Sequence, residues 1–132
     1  MIQIEKKFEK LPNINNSYGT NKGFRFKKPI AVKFQREWFD SFSRMRGIIC
    51  DFDDSCDFLE VTIEWKNPKY FTKKGVLSKR CGDIDSFQKF LLDGVSQGIG
   101  FDDSYFKRKT VIQDPSEDEF HHIKVSISVG SL

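Results

Sequence analysis

The sequence predicts an α+β (mixed α/β) fold, a single small domain over residues 1–132 with a mixed sheet and two main helices. Apolar side chains recur at helical spacing after residue 29 and again after residue 85. Between these stretches, residues 58–65 alternate between polar and apolar, as a half-buried strand does. The chain has 132 residues, enough for one domain to bury a core without disulfides or a structural metal.

The first part of the chain predicts a strand, a loop and a helix. Residues 1–8 alternate loosely and predict an opening strand, whereas residues 11–26 are rich in Asn and Gly and predict a loop. Pro29 is suited to the first turn of a helix, and Gly47 is suited to end it. The apolar stripe of this helix consists of Ile30, Phe34, Trp38, Phe42 and Met45.

The rest of the chain predicts one more helix among several strands. Gly98 and Gly100 are expected to end that helix, and Lys89 and Asp93 lie on its polar face. The elements in order are a short strand over 48–52, a strand over 58–65, a basic loop over 67–80, a helix over 85–97 and strands over 110–113 and 122–129.

Charge is distributed unevenly along a chain whose formal net charge is only +3. Basic residues are concentrated in residues 22–46 and 66–80, whereas acidic residues are concentrated in residues 51–60, 83–103 and 114–119. Basic flanks around an acidic centre suit a polyanion held over a bound divalent metal. The alternative interpretation is that these blocks are solvated faces.

An acidic motif with one lysine is the strongest chemical signal. Asp83 and Asp85 stand where a loop enters the second helix, so both carboxylates can reach one ion. Lys89 lies one helical turn further, and Asp102 and Asp103 follow the helix. Carboxylate oxygens suit Mg²⁺, which also binds substrate phosphates. Alternatively, an Asp at the helix start only caps the helix, the charged residues of its polar face form an exposed salt-bridge ladder, and the Asp pair lies in a surface turn.

Four segments resemble the RusA family of Holliday-junction resolvases. Residues 83–89 (Asp-Ile-Asp-Ser-Phe-Gln-Lys) match its D-x-D-N-x-x-K motif, and residues 92–95 (Leu-Asp-Gly-Val) match a following helix segment. Residues 101–104 (Phe-Asp-Asp-Ser) match its D-D-S/A-Q element at nearly the family's separation. Residues 11–18 (Leu-Pro-Asn-Ile-Asn-Asn-Ser-Tyr) resemble its N-terminal P-P-S-x-N-x-x-Y segment, a weaker signal.

This resemblance implies a homodimeric, Mg²⁺-dependent endonuclease that makes paired nicks across a four-way DNA junction, in recombination and repair. By the same resemblance, Asp83, Asp85 and Asp103 hold the metal, and together with Lys89 they form the catalytic set. Asp102 is a supporting candidate. Two alternatives stay open, a nuclease for branched or flap DNA of other specificity and a catalytically inactive DNA-binding relative. Neither a membrane nor an organic cofactor is expected.

Three positions depart from the family pattern. The family's Asn after the second Asp is Ser86 here, and its usual Ala is Gly94, which weakens the helix slightly. The residue after the Asp-Asp-Ser element is Tyr105 rather than Gln. The change at Tyr105 bears on sequence preference or substrate fit more than on metal binding.

Cations beside aromatic residues predict the DNA contacts. Tyr18, Phe24 and Phe26 interleave with basic residues, which suits a junction core where bases unstack. Alternatively, these aromatic side chains belong to the protein core. The residues predicted to bind DNA are Lys69, Lys73, Lys74, Lys79, Arg80, Arg25, Lys27 and Lys28.

Other signals indicate where the protein works. The chain contains no apolar run of the ~20 residues that span a bilayer, and its first residues do not resemble a signal peptide, so we expect a cytoplasmic protein. The three cysteines lack CxxC spacing and are expected to be reduced. His121 and His122 begin a strand, so their rings should point to opposite faces.

Overall fold

A computed structural model describes residues 1–13, 18–21, 23–47, 49, 52–79 and 86–131. It confirms the predicted α+β class, with two helices and a mixed sheet. The elements in order are β1 (Ile2–Phe8), β2 (Tyr18–Asn21), β3 (Phe24–Lys27), α1 (Pro29–Ser43), β4 (Asp57–Asn67), α2 (Gln88–Ile99), a 3₁₀ turn (Asp103–Tyr105), β5 (Phe106–Pro115) and β6 (His121–Ser131).

The main sheet has the strand order β1-β6-β4-β5. Strand β5 runs parallel to β4, whereas β6 is antiparallel to both β4 and β1, so the sheet is mixed as predicted. The alternation predicted for residues 58–65 is confirmed in β4, because one set of alternate side chains is buried. This buried set consists of Leu59, Val61, Ile63 and Trp65.

The chain divides into two compact units. The sheet unit comprises Met1–Lys10, Gly47–Gly82 and Ser104–Leu132. The helical unit comprises Leu11–Arg46 and Asp83–Asp103. That residues 1–132 form a single domain stays a prediction.

Within the helical unit, α1 begins at Pro29 as predicted and buries Phe34, Trp38 and Phe42 of its predicted stripe. Ile30 of that stripe is instead 38 % exposed, and Met45 lies beyond the helix, which ends at Ser43 rather than at Gly47. Phe34 and Trp38 meet edge to face, with ring centres 6.3 Å apart. Helix α2 continues past Gly98 to Ile99 and is capped by Gly100, whose φ of +81° is the left-handed conformation that favours glycine. An added Cβ at Gly98 would lie 2.9 Å from the Phe39 carbonyl oxygen, so glycine allows the two helices to approach closely.

The loop predicted over residues 11–26 was partly wrong. Strands β2 and β3 form an antiparallel hairpin in which Tyr18 pairs with Lys27 and Asn21 with Phe24. The Asn and Gly residues that suggested a loop include those of the hairpin turn, where Gly23 has a φ of +83°.

The remaining boundaries moved by a few residues. Helix α2 begins at Gln88 rather than Asp85, which lies outside the described residues. Strands β5 and β6 are both longer than predicted. Of the short strand expected over 48–52, only Ile49 and Phe52 are described, and neither lies in a strand. No helix in the described part of the chain has the length and hydrophobicity of a membrane span.

Candidate functional site

The predicted metal ligands are only partly described. Asp83 and Asp85 lie outside the described residues, as does the predicted DNA contact Arg80. Asp103 is exposed and begins the 3₁₀ turn, and Asp102 is exposed immediately before it. Among the residues that the structure describes, no three His, Cys, Asp or Glu side chains form a group able to hold a metal ion. The three-carboxylate site therefore stays a prediction.

Lys89 occupies the first turn of α2, where it is exposed between the buried residues Gln88 and Phe90. Its Nζ lies 5.2 Å from the centre of the Tyr18 ring. The Arg25 guanidinium lies over the same ring at 3.8 Å, and the ring itself contacts Phe90 with centres 5.7 Å apart. Tyr18 thus contacts two predicted functional cations through a neutral π face, and among the described residues neither cation has a carboxylate partner.

A second pair of predicted DNA contacts lies where the hairpin leads into α1. Lys27 donates from Nζ to Oε1 of Gln35 at 2.8 Å, again a neutral acceptor. Lys28 is exposed, and its carbonyl accepts hydrogen bonds from the first turn of α1. Beside them is a cavity of about 270 Å³ lined by Lys27, Val32, Gln35, Arg36, Phe39 and Gln97.

The lysine turn, residues 69–79, carries the other predicted cations. Its backbone folds back on itself, because the Ser78 N–H donates to the Tyr70 carbonyl at 2.9 Å and Gly75 has a φ of +78°. Lys69, Lys73, Lys74 and Lys79 are all exposed at this turn.

Sequence reasoning missed the apolar residues of the lysine turn. Phe71 is 48 % exposed, Val76 60 % and Leu77 64 %. The signal was present, because apolar residues stand on both sides of Lys73-Lys74-Gly75. For the first basic block, the sequence predicted aromatic side chains exposed among cations. The lysine turn shows the same combination, with Phe71 exposed beside its lysines.

The two histidines differ as predicted. His121 is buried, and its Nδ1 accepts a hydrogen bond from Trp65 Nε1 at 3.1 Å. Burial lowers the pKa of His121 to about 4, and the charges of Lys69 and His122 act in the same direction. His122 instead lies on the other face, 2.8 Å from the carboxylate of Asp118. This pair has no place in the predicted site.

Cys56 and its neighbours form an acidic turn. Cys56 is an exposed free thiol, whereas Cys50 and Cys81 lie outside the described residues. Desolvation and the neighbouring Asp53 and Asp57 raise the pKa of the Cys56 thiol. A raised pKa keeps a thiol protonated and poorly nucleophilic, so the turn offers no cysteine catalysis.

Two of the three departures from the family pattern have a local structural role. A Cβ at Gly94 would overlap the Gln35 carbonyl oxygen of α1, so the helix contact requires glycine. The Tyr105 ring meets Phe52 edge to face, with centres 5.4 Å apart. Ser86 is buried, and no contact with another described residue explains why serine stands there.

No family model matches this chain, and no curated protein matches it by sequence. A functional assignment therefore depends on the chain's own residues: the acidic motif, the lysine that follows it and the cations of both units.

Proposed function

We propose that this chain is a Mg²⁺-dependent endonuclease of the RusA type, which resolves four-way DNA junctions by paired nicks. The observation that carries the proposal is the acidic motif at 83–89 followed by the Asp pair at 102–103. The position of Lys89 supports it, because this lysine is exposed in the first turn of α2, directly after the predicted ligands. We place the activity in the cytoplasm, in recombination and repair.

The donor set fits the proposed metal. Asp83, Asp85 and Asp103 would supply carboxylate oxygens, which Mg²⁺ prefers, and Asp103 is exposed and accessible to an ion from solvent. Bound Mg²⁺ would polarise the scissile phosphate and lower the pKa of a water. Lys89 would offer a positive charge to an oxygen that becomes negative during cleavage.

The surrounding cations suit the DNA backbone. Arg25, Lys27 and Lys28 lie in the helical unit with Lys89, and the lysine turn adds its four cations in the sheet unit. Such side chains neutralise phosphates without reading sequence. The exposed Phe71 suits contact with a base that has left its stack, as bases do at a junction.

The proposed assembly is a homodimer. A four-way junction presents two symmetric scissile bonds, and one active site per subunit would cut both. The dimer would therefore bind one junction and nick it twice.

The deciding experiment is a nicking assay on a labelled synthetic four-way junction, with Mg²⁺ and with EDTA. Asp83→Asn should reduce cutting by about 10²–10³-fold and leave junction binding intact, because it removes a ligand charge and no phosphate contact. Asp93→Asn is the matched control, since this half-buried Asp lies further along α2 and has no proposed metal role.

The assay also separates the alternatives. Mg²⁺-dependent cutting of flap DNA in preference to the junction would indicate a nuclease of other specificity. Binding without nicks in the unmodified protein would indicate an inactive DNA-binding relative, and absence of both would refute the proposal.

A further inference from the structure

Helix α1 has a second apolar stripe that lies outside the core. Val32 and Phe39 are both exposed, and because they are seven residues apart, two helical turns bring them to the same face of α1. Neither residue belongs to the stripe that the sequence predicts for this helix. They form the apolar part of the cavity of about 270 Å³, whose other lining residues are Lys27, Gln35, Arg36 and Gln97. All six residues belong to the helical unit.

A short hydrogen-bond chain crosses this cavity. Helix α2 contributes Gln97, because the two helices approach closely at Gly94 and Gly98. Lys27 Nζ donates to Gln35 Oε1 at 2.8 Å, and Gln35 Nε2 donates to Gln97 Oε1 at 3.4 Å. The lysine fixes the direction of this chain, because an ammonium group only donates and must meet the oxygen of the amide. Gln97 therefore turns its oxygen towards Gln35, and its Nε2 is the end of the chain without a described partner.

The polar groups that this cavity leaves to a ligand are all donors. Lys27 and Arg36 add two positive charges, and no described residue that lines the cavity is acidic. Arg36 forms no ion pair with another described residue, although the exposed Asp40 stands one turn further along α1. A ligand of this cavity must therefore bring a negative charge and hydrogen-bond acceptors together with an apolar body.

We propose that this cavity binds one nucleotide, with its base against Phe39 and Val32 and its phosphate on Lys27 and Arg36. The Phe39 ring offers a π face on which any base stacks. Gln97 Nε2 would donate to the edge of the base, since every base has carbonyl or ring-nitrogen acceptors in its plane. Inorganic phosphate would meet the charge but leave the apolar side chains unused, and a fatty acid needs a longer apolar channel than two side chains provide.

The nucleotide has two possible sources, a free nucleotide or one unpaired nucleotide of a DNA strand. The cavity of about 270 Å³ suits a single nucleotide in either case, because it is slightly smaller than the roughly 300–1,000 Å³ of pockets for drug-sized ligands. A base stacked inside a duplex has both faces covered, so the DNA source requires a base that has left its stack. The inference rests on the proposed function only for this second source, and it involves neither the acidic motif nor Mg²⁺.

Calorimetric titration with thymidine monophosphate tests the cavity without DNA or metal. Inorganic phosphate and thymidine, titrated separately, should each bind by about tenfold or more less tightly than the nucleotide that joins them. Phe39→Leu should weaken nucleotide binding by about tenfold, because leucine keeps an apolar side chain but removes the stacking face. Phe120→Leu is the matched control, since this ring also lies beside a cation, Lys7, but outside the cavity. It should leave the affinity unchanged.

Charge variants distinguish this cavity from a surface that attracts any anion. Arg36→Ala should weaken nucleotide binding by about five- to tenfold. Arg44→Ala removes an equal charge at the end of α1, outside the cavity, and the affinity should stay within about twofold of the unmodified protein.

Gln35→Glu tests the hydrogen-bond chain with little change in side-chain size. It places a carboxylate against Lys27 and removes the N–H that orients Gln97, so it should weaken nucleotide binding by about tenfold. Gln35 is thus a positioning residue, and its role has a readout besides affinity. In a ¹⁵N correlation spectrum, the side-chain amide of Gln97 should shift on nucleotide binding in the unmodified protein and keep its position in the variant. The same spectrum shows that the variant is folded.

A single-stranded oligothymidylate distinguishes the two sources. If Phe39→Leu weakens binding of the oligonucleotide as much as that of the mononucleotide, an unpaired nucleotide of a strand occupies the cavity. If only the mononucleotide is affected, the ligand is a free nucleotide.

Either of two results overturns the inference: thymidine monophosphate that binds no more tightly than inorganic phosphate, or an affinity that Phe39→Leu reduces no more than Phe120→Leu does. Nucleotide binding by a chain that never nicks DNA would refute the proposed function alone. Nicking of a four-way junction by a chain that binds no nucleotide would refute this inference alone.

Discussion

Strands β5 and β6 and the helical unit differ in what their described cations contact. On β5 and β6, one cation each meets a carboxylate: Arg108 lies 3.0 Å from Glu60, and Lys124 lies 3.2 Å from Glu64. In the helical unit, cations meet neutral groups, such as the Tyr18 ring and the amide of Gln35. The three ion pairs that join described residues, including His122 with Asp118, all belong to the sheet unit.

This difference indicates which charges serve stability and which are available to a ligand. A cation beside a carboxylate has little net field left for a phosphate, whereas a cation over an aromatic ring is oriented but keeps its charge. We therefore expect the described cations of the helical unit, Lys89 among them, to be available to a phosphate. This expectation depends on what each cation contacts and not on the formal net charge of +3.

The largest expected effect comes from breaking the helix contact that holds these cations in place. The methyl group added by Gly94→Ala would overlap the Gln35 carbonyl oxygen and would lie 3.1 Å from Trp38 Cβ. We expect a loss of about 3 kcal/mol in the free energy of unfolding, despite the better helix propensity of alanine. Urea denaturation measures this loss, with unfolding monitored through Trp38 fluorescence in a background in which Trp65 is changed to Phe.

Gly75→Ala is the control for this prediction. It has no atom within 4 Å of an added Cβ, and its φ of +78° makes alanine unfavourable by about 1 kcal/mol. If Gly94→Ala is no worse than Gly75→Ala, α1 and α2 do not need the glycine, and the departure from the family's alanine is unexplained.

The second effect concerns the buried His121 of the sheet unit. Its folded-state pKa of about 4 lies below the ordinary 6.5, so the unfolded chain binds the proton first as the pH falls. Stability is therefore fully present above pH 6.5 and falls between pH 6.5 and 4, by about 3 kcal/mol in total. Urea titrations at pH 7, 5.5 and 4.5 should show this slope.

His121→Gln should remove that slope, because glutamine does not titrate and its amide oxygen can accept the Trp65 hydrogen bond. The carboxylates of Asp53, Asp57 and Asp118, with pKa values below 3.8, lose their contribution at lower pH and do not obscure the window. An unchanged slope in the variant would mean that another group carries the pH dependence.

Local pattern was sufficient to predict most of the fold. The aromatic stripe of α1 and the alternation of β4 each report one buried face, and both elements were confirmed. The hairpin β2–β3 was missed because its strands have four residues each, too short for alternation to stand out from turn residues. The parallel pairing of β5 with β4 is a property of topology, which spacing does not encode.

The candidate site was less predictable, for a different reason. The sequence named Arg25 and Lys89 as separate functional cations, but only folding brings both to the Tyr18 ring. Exposure of Phe71 is likewise a tertiary property, since the same residue pattern also fits a packed loop. Contacts between distant segments cannot be read from spacing within one segment.

The smallest expected effect is on DNA binding, measured with EDTA present. It tests most directly whether cations paired with carboxylates and cations paired with neutral groups differ in function. Arg25→Ala and Lys89→Ala should each weaken junction binding by about five- to tenfold and reduce the slope of log affinity against log salt by about 0.9, because each removes one cation that has no carboxylate partner among the described residues. Lys124→Ala removes an equal charge that Glu64 already neutralises, so its affinity should stay within about twofold of the unmodified protein. Fluorescence anisotropy over a salt series gives both quantities. If Lys124→Ala weakens binding as much as Lys89→Ala does, net charge alone governs DNA affinity, and the distinction between the two units has no functional meaning.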